Sequence, residues 1–180
     1  SYTYDWDIFK NYLGVNYKYL GKSELNFKSS PNELFSLTLR MTFGKDLAYN
    51  EQIPEVGKEF TLYAMPMFQL GNKVNISPSI RYARLKNLEN NLDYFNGYIS
   101  RFSVRYQFNN FLNIRLVSEY NAFTERFFVQ PLIQWNPNPS TIFYMGGNQN
   151  SIEDFNDEFY SPFRIDKTQF FLKFQYLIGL

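Results

Sequence analysis

The chain of 180 residues contains neither cysteine nor histidine. The absence of cysteine excludes disulfides and thiol nucleophiles, and the absence of histidine removes the usual general base of a serine-type triad and the commonest zinc ligand. The formal net charge is only +1, so no basic field indicates a nucleic-acid partner. No apolar run approaches the ~20 residues of a membrane-spanning helix. Composition therefore predicts no cofactor, no metal site and no nucleic-acid partner.

Aromatic side chains, in contrast, are abundant. Phe, Trp and Tyr make up 21% of the chain, yet the mean hydropathy is −0.40. A chain that is this aromatic and this polar at once must place the two kinds of side chain on different faces. Strands favour aromatic residues, and successive side chains of a strand point to opposite faces.

Apolar and polar residues alternate along most of the sequence, as in LFSLTLRMTFG, residues 34–44. This period of two predicts β-strands with one apolar and one polar face. The predicted strands are 15–28, 34–44, 58–70, 74–85, 95–108, 112–122, 126–136, 140–149 and 167–179. Residues 1–14 are assigned either to an extracellular loop or to a short strand, and residues 1–180 to a single domain.

Two fold classes share this pattern, since an apolar face can pack in a soluble core or contact lipid. The segments run to about 10–14 residues, which suits membrane strands of ~9–11 better than globular strands of ~5–6. The large Phe, Tyr, Leu and Ile side chains would also be hard to pack into one small core. We therefore predict an all-β, antiparallel up-and-down transmembrane β-barrel, or its C-terminal portion, with about nine to ten strands.

The predicted connections alternate in length. Short links at 29–33, 71–73, 109–111 and 136–140 alternate with longer ones at 45–57, 86–94 and 150–166, while 121–125 is intermediate. Short periplasmic turns and long extracellular loops are typical of outer-membrane barrels. Counting back from a final strand that runs inward gives nine strands, so we expect missing N-terminal strands in preference to a tenth strand at Tyr2–Phe9.

The short links also predict register. A three-residue loop around Asn110 pairs Tyr106 with Ile114 and Val104 with Leu116. A similar loop around Asn72 places Pro66 opposite Pro78 on the apolar face, and the sequence does not indicate how these two prolines are accommodated. For Pro131, which falls inside a predicted strand, we expect a β-bulge.

Charged residues near strand centres are candidates to line the interior of a barrel. These lumen-lining candidates are Arg40, Arg81, Arg101, Arg105, Arg115, Glu119 and Lys173. We interpret Glu119 as neutralising nearby arginines and not as a catalytic carboxylate. The interfacial aromatic candidates, near strand ends, are Tyr82, Tyr120, Trp135, Tyr144 and Tyr176. The acidic group Glu153, Asp154, Asp157 and Glu158 is interpreted as a solvated loop, since it lacks the order of a calcium-binding EF-hand.

Four stretches, SSPNELFSLTLRMTFG, RLVSEYNAF, PLIQWNPNPSTIFYMGG and TQFFLKFQYLIGL, give the chain a resemblance to a known family. From Ser29 to Leu180 it resembles the C-terminal region of an uncharacterised family of Bacteroidota envelope proteins. Members of that family join a periplasmic module similar to family 9 carbohydrate-binding modules to a C-terminal outer-membrane barrel. The family often has Gly where Ser140 stands, and it brings no established catalytic residues.

We expect a non-enzymatic protein of the Gram-negative outer membrane that serves as an anchor, a channel or a subunit of an envelope transport or secretion assembly. Its expected partners are outer-membrane lipid and either other envelope subunits or missing N-terminal strands. The alternative is a soluble β-sandwich or barrel that binds carbohydrate, because aromatic side chains also form platforms for sugars.

Overall fold

The computed structural model describes residues 1–49, 54–153 and 163–178, and these residues form ten strands of one sheet. Each strand lies beside the next one in the chain, which is the order of an antiparallel up-and-down sheet. The strands are β1 Tyr2–Tyr12, β2 Val15–Asn32, β3 Phe35–Leu47, β4 Val56–Leu70, β5 Val74–Asn87, β6 Asp93–Gln107, β7 Leu112–Asn121, β8 Arg126–Asn138, β9 Thr141–Glu153 and β10 Phe163–Tyr176. The all-β, antiparallel prediction is confirmed. Among the described residues, no helix is long and apolar enough to cross a membrane.

The tenth strand is the one that sequence reasoning disfavoured. Residues 2–12 pair along β2, from Tyr2 opposite Leu25 to Tyr12 opposite Val15. Leu13 and Gly14 connect the two strands with positive φ angles of 50° and 78°, the geometry of a tight hairpin turn. Asp5, whose charge argued against a strand, lies opposite Lys22. Residues 2–12 therefore form a strand, which is one of the two alternatives given for residues 1–14.

The connections follow the predicted alternation in part. One end of the strands carries the links 33–34, 71–73, 108–111 and 139–140, and the other carries 13–14, 48–55, 88–92, 122–125 and 154–162, the last outside the described residues. The predicted link 29–33 shrinks to two residues because β2 continues to Asn32. The Asn32 side chain accepts hydrogen bonds from the backbone N–H groups of Leu34 and Phe35 at 3.0 and 2.9 Å. The turn 13–14 departs from the predicted alternation, because it is short but lies at the end of the strands that carries the longer links.

The chain divides into two compact units. The first comprises Ser1–Ser30, Leu37–Met65 and Ile80–Tyr98. The second comprises Pro31–Ser36, Pro66–Ser79 and the described residues from Ile99 onward. The first unit contains a small buried cluster of Tyr17, Leu20 and Leu47, where the Tyr17 hydroxyl donates a 2.6 Å hydrogen bond to the Pro54 carbonyl.

Register in the second unit confirms the predicted β6–β7 pairing. Tyr106 lies opposite Ile114, and Val104 lies opposite Leu116. The side chain of Asn109 fixes the connecting link by accepting the N–H groups of Phe111 and Leu112, both at 2.8 Å. Two irregularities of pairing occur at the ends of this unit, between Trp135 and Asn138 and between Ile165 and Lys167.

Pro131 does not cause the bulge that the sequence predicted. It pairs with Leu116 in the regular register of β7 and β8. On the β9 side, pairing stops after Val129 opposite Gln149 and resumes at Leu132 opposite Gly146 with no register shift. The missing N–H of Pro131 removes ladder contacts and leaves the strand regular. The unchanged register places Pro131 opposite Gly147.

Candidate functional site

The second unit presents a continuous apolar surface on one face of β6–β10. Cross-strand pairs link one residue from each strand into a row: Tyr106, Ile114, Ile133, Met145 and Leu172. Although these side chains point to a single face, Met145 is 52% exposed and Leu172 is 82% exposed. Exposed apolar surfaces of this extent mark sites that meet a membrane or another protein.

A parallel row of larger rings lies nearer the 139–140 turn. It consists of Leu112, Trp135, Phe143 and Phe174, which the same pairings bring side by side. The Trp135 and Phe143 rings stack with centroids 5.2 Å apart, and the Phe143 and Phe174 rings lie 5.0 Å apart. Aromatic rows near strand ends are the usual pattern of an interfacial girdle.

The five interfacial aromatic candidates do not all lie on the apolar face of the sheet. Trp135, Tyr120 and Tyr176 lie on the apolar face of the second unit, opposite Leu112, Phe127 and Thr141 in turn. Tyr144 lies on its polar face, opposite Gln134 and Lys173. In the first unit, Tyr82 packs against the Phe60 ring at 6.0 Å and donates a 2.8 Å hydrogen bond to Asn96.

The opposite face of the second unit gathers the remaining lumen-lining candidates. Arg101 lies opposite Glu119, and a guanidinium nitrogen approaches the carboxylate to 3.1 Å. Arg105 lies directly opposite Arg115. Such a like-charge pair is unfavourable unless water or counter-charge screens it. The Lys173 ammonium lies 5.8 Å from the centroid of the Tyr144 ring. The structure thus brings Glu119 among the cations that the sequence assigned to it.

Apolar residues also occur on this face, since Phe128 lies opposite Glu119 and Leu132 lies opposite Arg115. Val117 lies between Arg115 and Glu119 along β7 and is only 2% exposed. Nearby, the Nε of Arg115 and the Oδ1 of Asn148 are buried without a hydrogen-bond partner among the described residues. A buried polar atom of this kind is normally satisfied by water. These two atoms of the polar face are therefore positions where bound water is expected.

In the first unit, the two other lumen-lining candidates also contact polar or aromatic partners. Arg40 donates a hydrogen bond to the Asn26 side chain at 2.9 Å and lies 3.7 Å from Glu24. The Arg81 guanidinium lies 5.5 Å from the centroid of the Tyr63 ring. These contacts are of the kind that hold long cationic side chains against a sheet.

Sequence reasoning missed the closest ion pairs of the first unit. The Lys22 ammonium lies 2.6 Å from Asp46 and 2.7 Å from Glu59, so one cation joins β2, β3 and β4. The Asp46 contact is a hydrogen bond, whereas the Glu59 oxygen is close enough to pair but is not aligned to accept one. The only available signal was the alternation of Lys22, Glu24 and Asn26 on the polar face of segment 15–28.

The described residues contain no group of three or more His, Cys, Asp or Glu side chains that could hold a metal ion. Of the acidic loop group, Asp154, Asp157 and Glu158 lie outside the described residues. Glu153 accepts a 2.7 Å hydrogen bond from the Tyr120 hydroxyl. Of the seven charged candidates, Arg101 and Glu119 form an ion pair with each other, whereas Arg81 and Lys173 lie against tyrosine rings.

In comparisons with protein-family models, with curated proteins and with solved structures, no match to this chain was found. The resemblance to Bacteroidota envelope proteins with a family-9-like module therefore remains a prediction.

Proposed function

We propose that this chain is a non-enzymatic outer-membrane β-barrel, or part of one, whose apolar face contacts lipid. Its role would be that of an anchor, a channel or a subunit of an envelope transport or secretion assembly. The observation that supports this most is the exposed apolar row of Tyr106, Ile114, Ile133, Met145 and Leu172. In lipid, such a face needs no second layer of protein to cover it.

The scarcity of buried apolar side chains argues against the soluble alternative. A soluble sandwich buries the inner faces of two sheets against each other. Among the described residues, the buried hydrophobic set is Tyr17, Leu20, Leu47, Ala48, Leu85 and Val117. This set is too small to provide the core of a sandwich, whereas a lipid-facing sheet requires no such core.

Strand length supports the proposal independently. The shortest strand, β7, has 10 residues and the longest, β2, has 18. A membrane strand tilted at about 45° needs ~9–11 residues, so every strand is long enough or nearly so to cross the hydrocarbon layer.

The outer edges of β1 and β10 support the expected partners. Within the described residues, β1 pairs only with β2, and β10 pairs only with β9. Lipid cannot satisfy the backbone groups of an open strand edge. Each edge therefore requires a strand partner, which closure of the sheet, further strands of a longer chain or another envelope subunit would supply.

Membrane fractionation tests the proposal. We expect the chain to require detergent for extraction and to migrate differently on a denaturing gel before and after heating. A monodisperse, water-soluble monomer obtained without detergent would contradict the proposal and favour the soluble alternative. For a chain that inserts, ion conductance in planar bilayers separates a channel from an anchor or scaffold, which would be electrically silent.

A further inference from the structure

A recess of about 530 Å³ opens on the first unit, close to the end of the strands that carries links 48–55 and 88–92. Its described lining residues combine aromatic rings with two lysines and include no carboxylate. The lining residues are Tyr4, Tyr19, Gly21, Ser23, Phe43, Gly44, Lys45, Lys58 and Leu88. This combination of apolar wall and unbalanced positive charge fits an amphiphile with an anionic head.

Two of the residues that line the recess, Gly21 and Gly44, are glycines at sites of close approach. A Cβ on Gly21 would lie 2.9 Å from the Tyr4 hydroxyl oxygen, and a Cβ on Gly44 would lie 2.2 Å from the Gly21 carbonyl oxygen. Gly44 also has a φ of +156°, so a side chain there would be strained as well as obstructed. β2 and β3 therefore approach closely at this point, and a side chain at position 44 would collide with the backbone of β2.

The two lysines lie where the apolar faces of their strands end. On β3, the alternate residues Phe35, Leu37, Leu39, Met41 and Phe43 precede Lys45. On β4, Lys58 precedes the alternate residues Phe60, Leu62, Ala64, Pro66, Phe68 and Leu70. These apolar stretches cover 9 and 11 residues of chain, which matches the ~9–11 residues of a membrane strand. The two ammonium groups therefore belong at the level of the lipid head groups.

Among the described residues, neither lysine has a counter-charge, for a reason that is visible in the structure. Asp46 and Glu59 directly follow Lys45 and Lys58 in sequence, but adjacent residues of a strand point to opposite faces. Both carboxylates contact Lys22 on the other face, at 2.6 and 2.7 Å. Neither Lys45 nor Lys58 makes a hydrogen bond or ion pair to a described residue. Their charge is available to an external anion.

We propose that this recess binds the phosphate head group of a membrane lipid, with Lys45 and Lys58 contacting the phosphate. The rings of Tyr19 and Phe43 would contact the apolar part of the lipid. Tyr19, with a φ of 60° and an exposure of 63%, is held outward at the rim. This inference rests on the proposed membrane function, and it adds the class of lipid and the residues that select it.

The test measures binding of phosphatidic acid to the detergent-solubilised full chain by native mass spectrometry. Phosphatidylcholine and inorganic phosphate serve as the comparison ligands. We expect the double substitution Lys45→Gln/Lys58→Gln to weaken phosphatidic acid binding about 30-fold. Each lysine near a membrane surface raises the affinity for an anionic lipid by a factor of about five, and the two factors multiply. Lys45→Arg/Lys58→Arg keeps both charges and should retain binding.

The matched control is Lys28→Gln/Lys73→Gln, which removes the same charge at two exposed lysines outside the recess. An equal loss in this control would overturn the inference, because it would show binding by net charge alone. Equal affinity for phosphatidylcholine, or displacement by inorganic phosphate at matched concentration, would also overturn it. A chain that inserts into membranes but shows no such selectivity would contradict this inference alone, whereas a water-soluble chain would contradict the proposed function itself.

Discussion

At the scale of single residues, Leu13 is the clearest misfit between residue type and backbone. It occupies the first position of the β1–β2 turn with a φ of 50° and is 73% exposed. An L-residue in the left-handed region costs roughly 1–2 kcal/mol, and Asn pays less than Leu there. We expect Leu13→Asn, which creates the preferred Asn-Gly turn, to raise the free energy of unfolding by about 0.5–1 kcal/mol.

Urea titration in a fixed detergent measures this change. Leu34→Asn, at an exposed position in the turn 33–34, is a control because Leu34 has no positive φ and should gain nothing from the substitution. An unchanged or lower stability of Leu13→Asn would contradict the assigned turn geometry.

The coupling energy of the Arg101–Glu119 pair tests whether the polar face of the second unit is hydrated. The two side chains are 49% and 32% exposed, and a hydrated pair of this kind contributes about 0–1 kcal/mol. We expect a double-mutant cycle of Arg101→Gln and Glu119→Gln to give a coupling energy below about 1 kcal/mol. A coupling energy of several kcal/mol would indicate that the pair is shielded from water and would count against a water-filled lumen. The baseline is the same cycle measured for Arg101→Gln and Lys173→Gln, because these two side chains do not contact each other.

At the scale of strands, Lys22 holds β2, β3 and β4 together through Asp46 and Glu59. The two carboxylates are only 21% and 15% exposed, so loss of the cation would leave them poorly solvated and close to each other. We expect Lys22→Met to lower the free energy of unfolding by about 2 kcal/mol. The triple substitution Lys22→Met/Asp46→Asn/Glu59→Gln should recover much of this loss.

Urea unfolding of both variants, with the exposed-site substitution Lys28→Met as a control, checks the result. If Lys22→Met and Lys28→Met were equally stable, the ion pairs would have no role in joining the strands.

Strand identity and local register could be predicted from sequence because both follow from short-range patterns. The β6–β7 pairing depends on alternation and on the turn-forming Asn109, which are visible within twenty residues. A strand at the start of the chain was disfavoured because the segment Tyr2–Phe9 is short and rich in Asp, and because Leu13-Gly14 is not a recognised hairpin signal. The bulge expected at Pro131 was wrong, because the register is unchanged on both sides of the proline.

The site was predicted less completely. The seven charged candidates were assigned to polar faces by alternation, and the structure places a guanidinium nitrogen of Arg101 3.1 Å from Glu119. The partners of Lys22 lie across links of 2 and 8 residues, and strand register across such links depends on packing that the sequence does not show. The pairing of β8 with β9 shifts register between Trp135 and Asn138, so Phe143, and not Tyr144, lies opposite Trp135 on the apolar face. Tyr144 therefore lies on the polar face, and such irregularities at turns are difficult to predict from sequence.

At the scale of the whole molecule, the central claim is that one face of the sheet contacts lipid and the other does not. Because the chain has no cysteine, single cysteines placed along β7 can carry a fluorophore without a background label. The substitutions are Asn113→Cys, Ile114→Cys, Arg115→Cys and Leu116→Cys, two on each face.

The deciding measurement is quenching of these four labels by nitroxide-bearing lipids after reconstitution into vesicles. We predict alternation with a period of two: strong quenching at positions 114 and 116, and weak quenching at 113 and 115. Equal quenching at all four positions, or none at 114 and 116 in a reconstituted chain, would contradict a lipid-facing sheet.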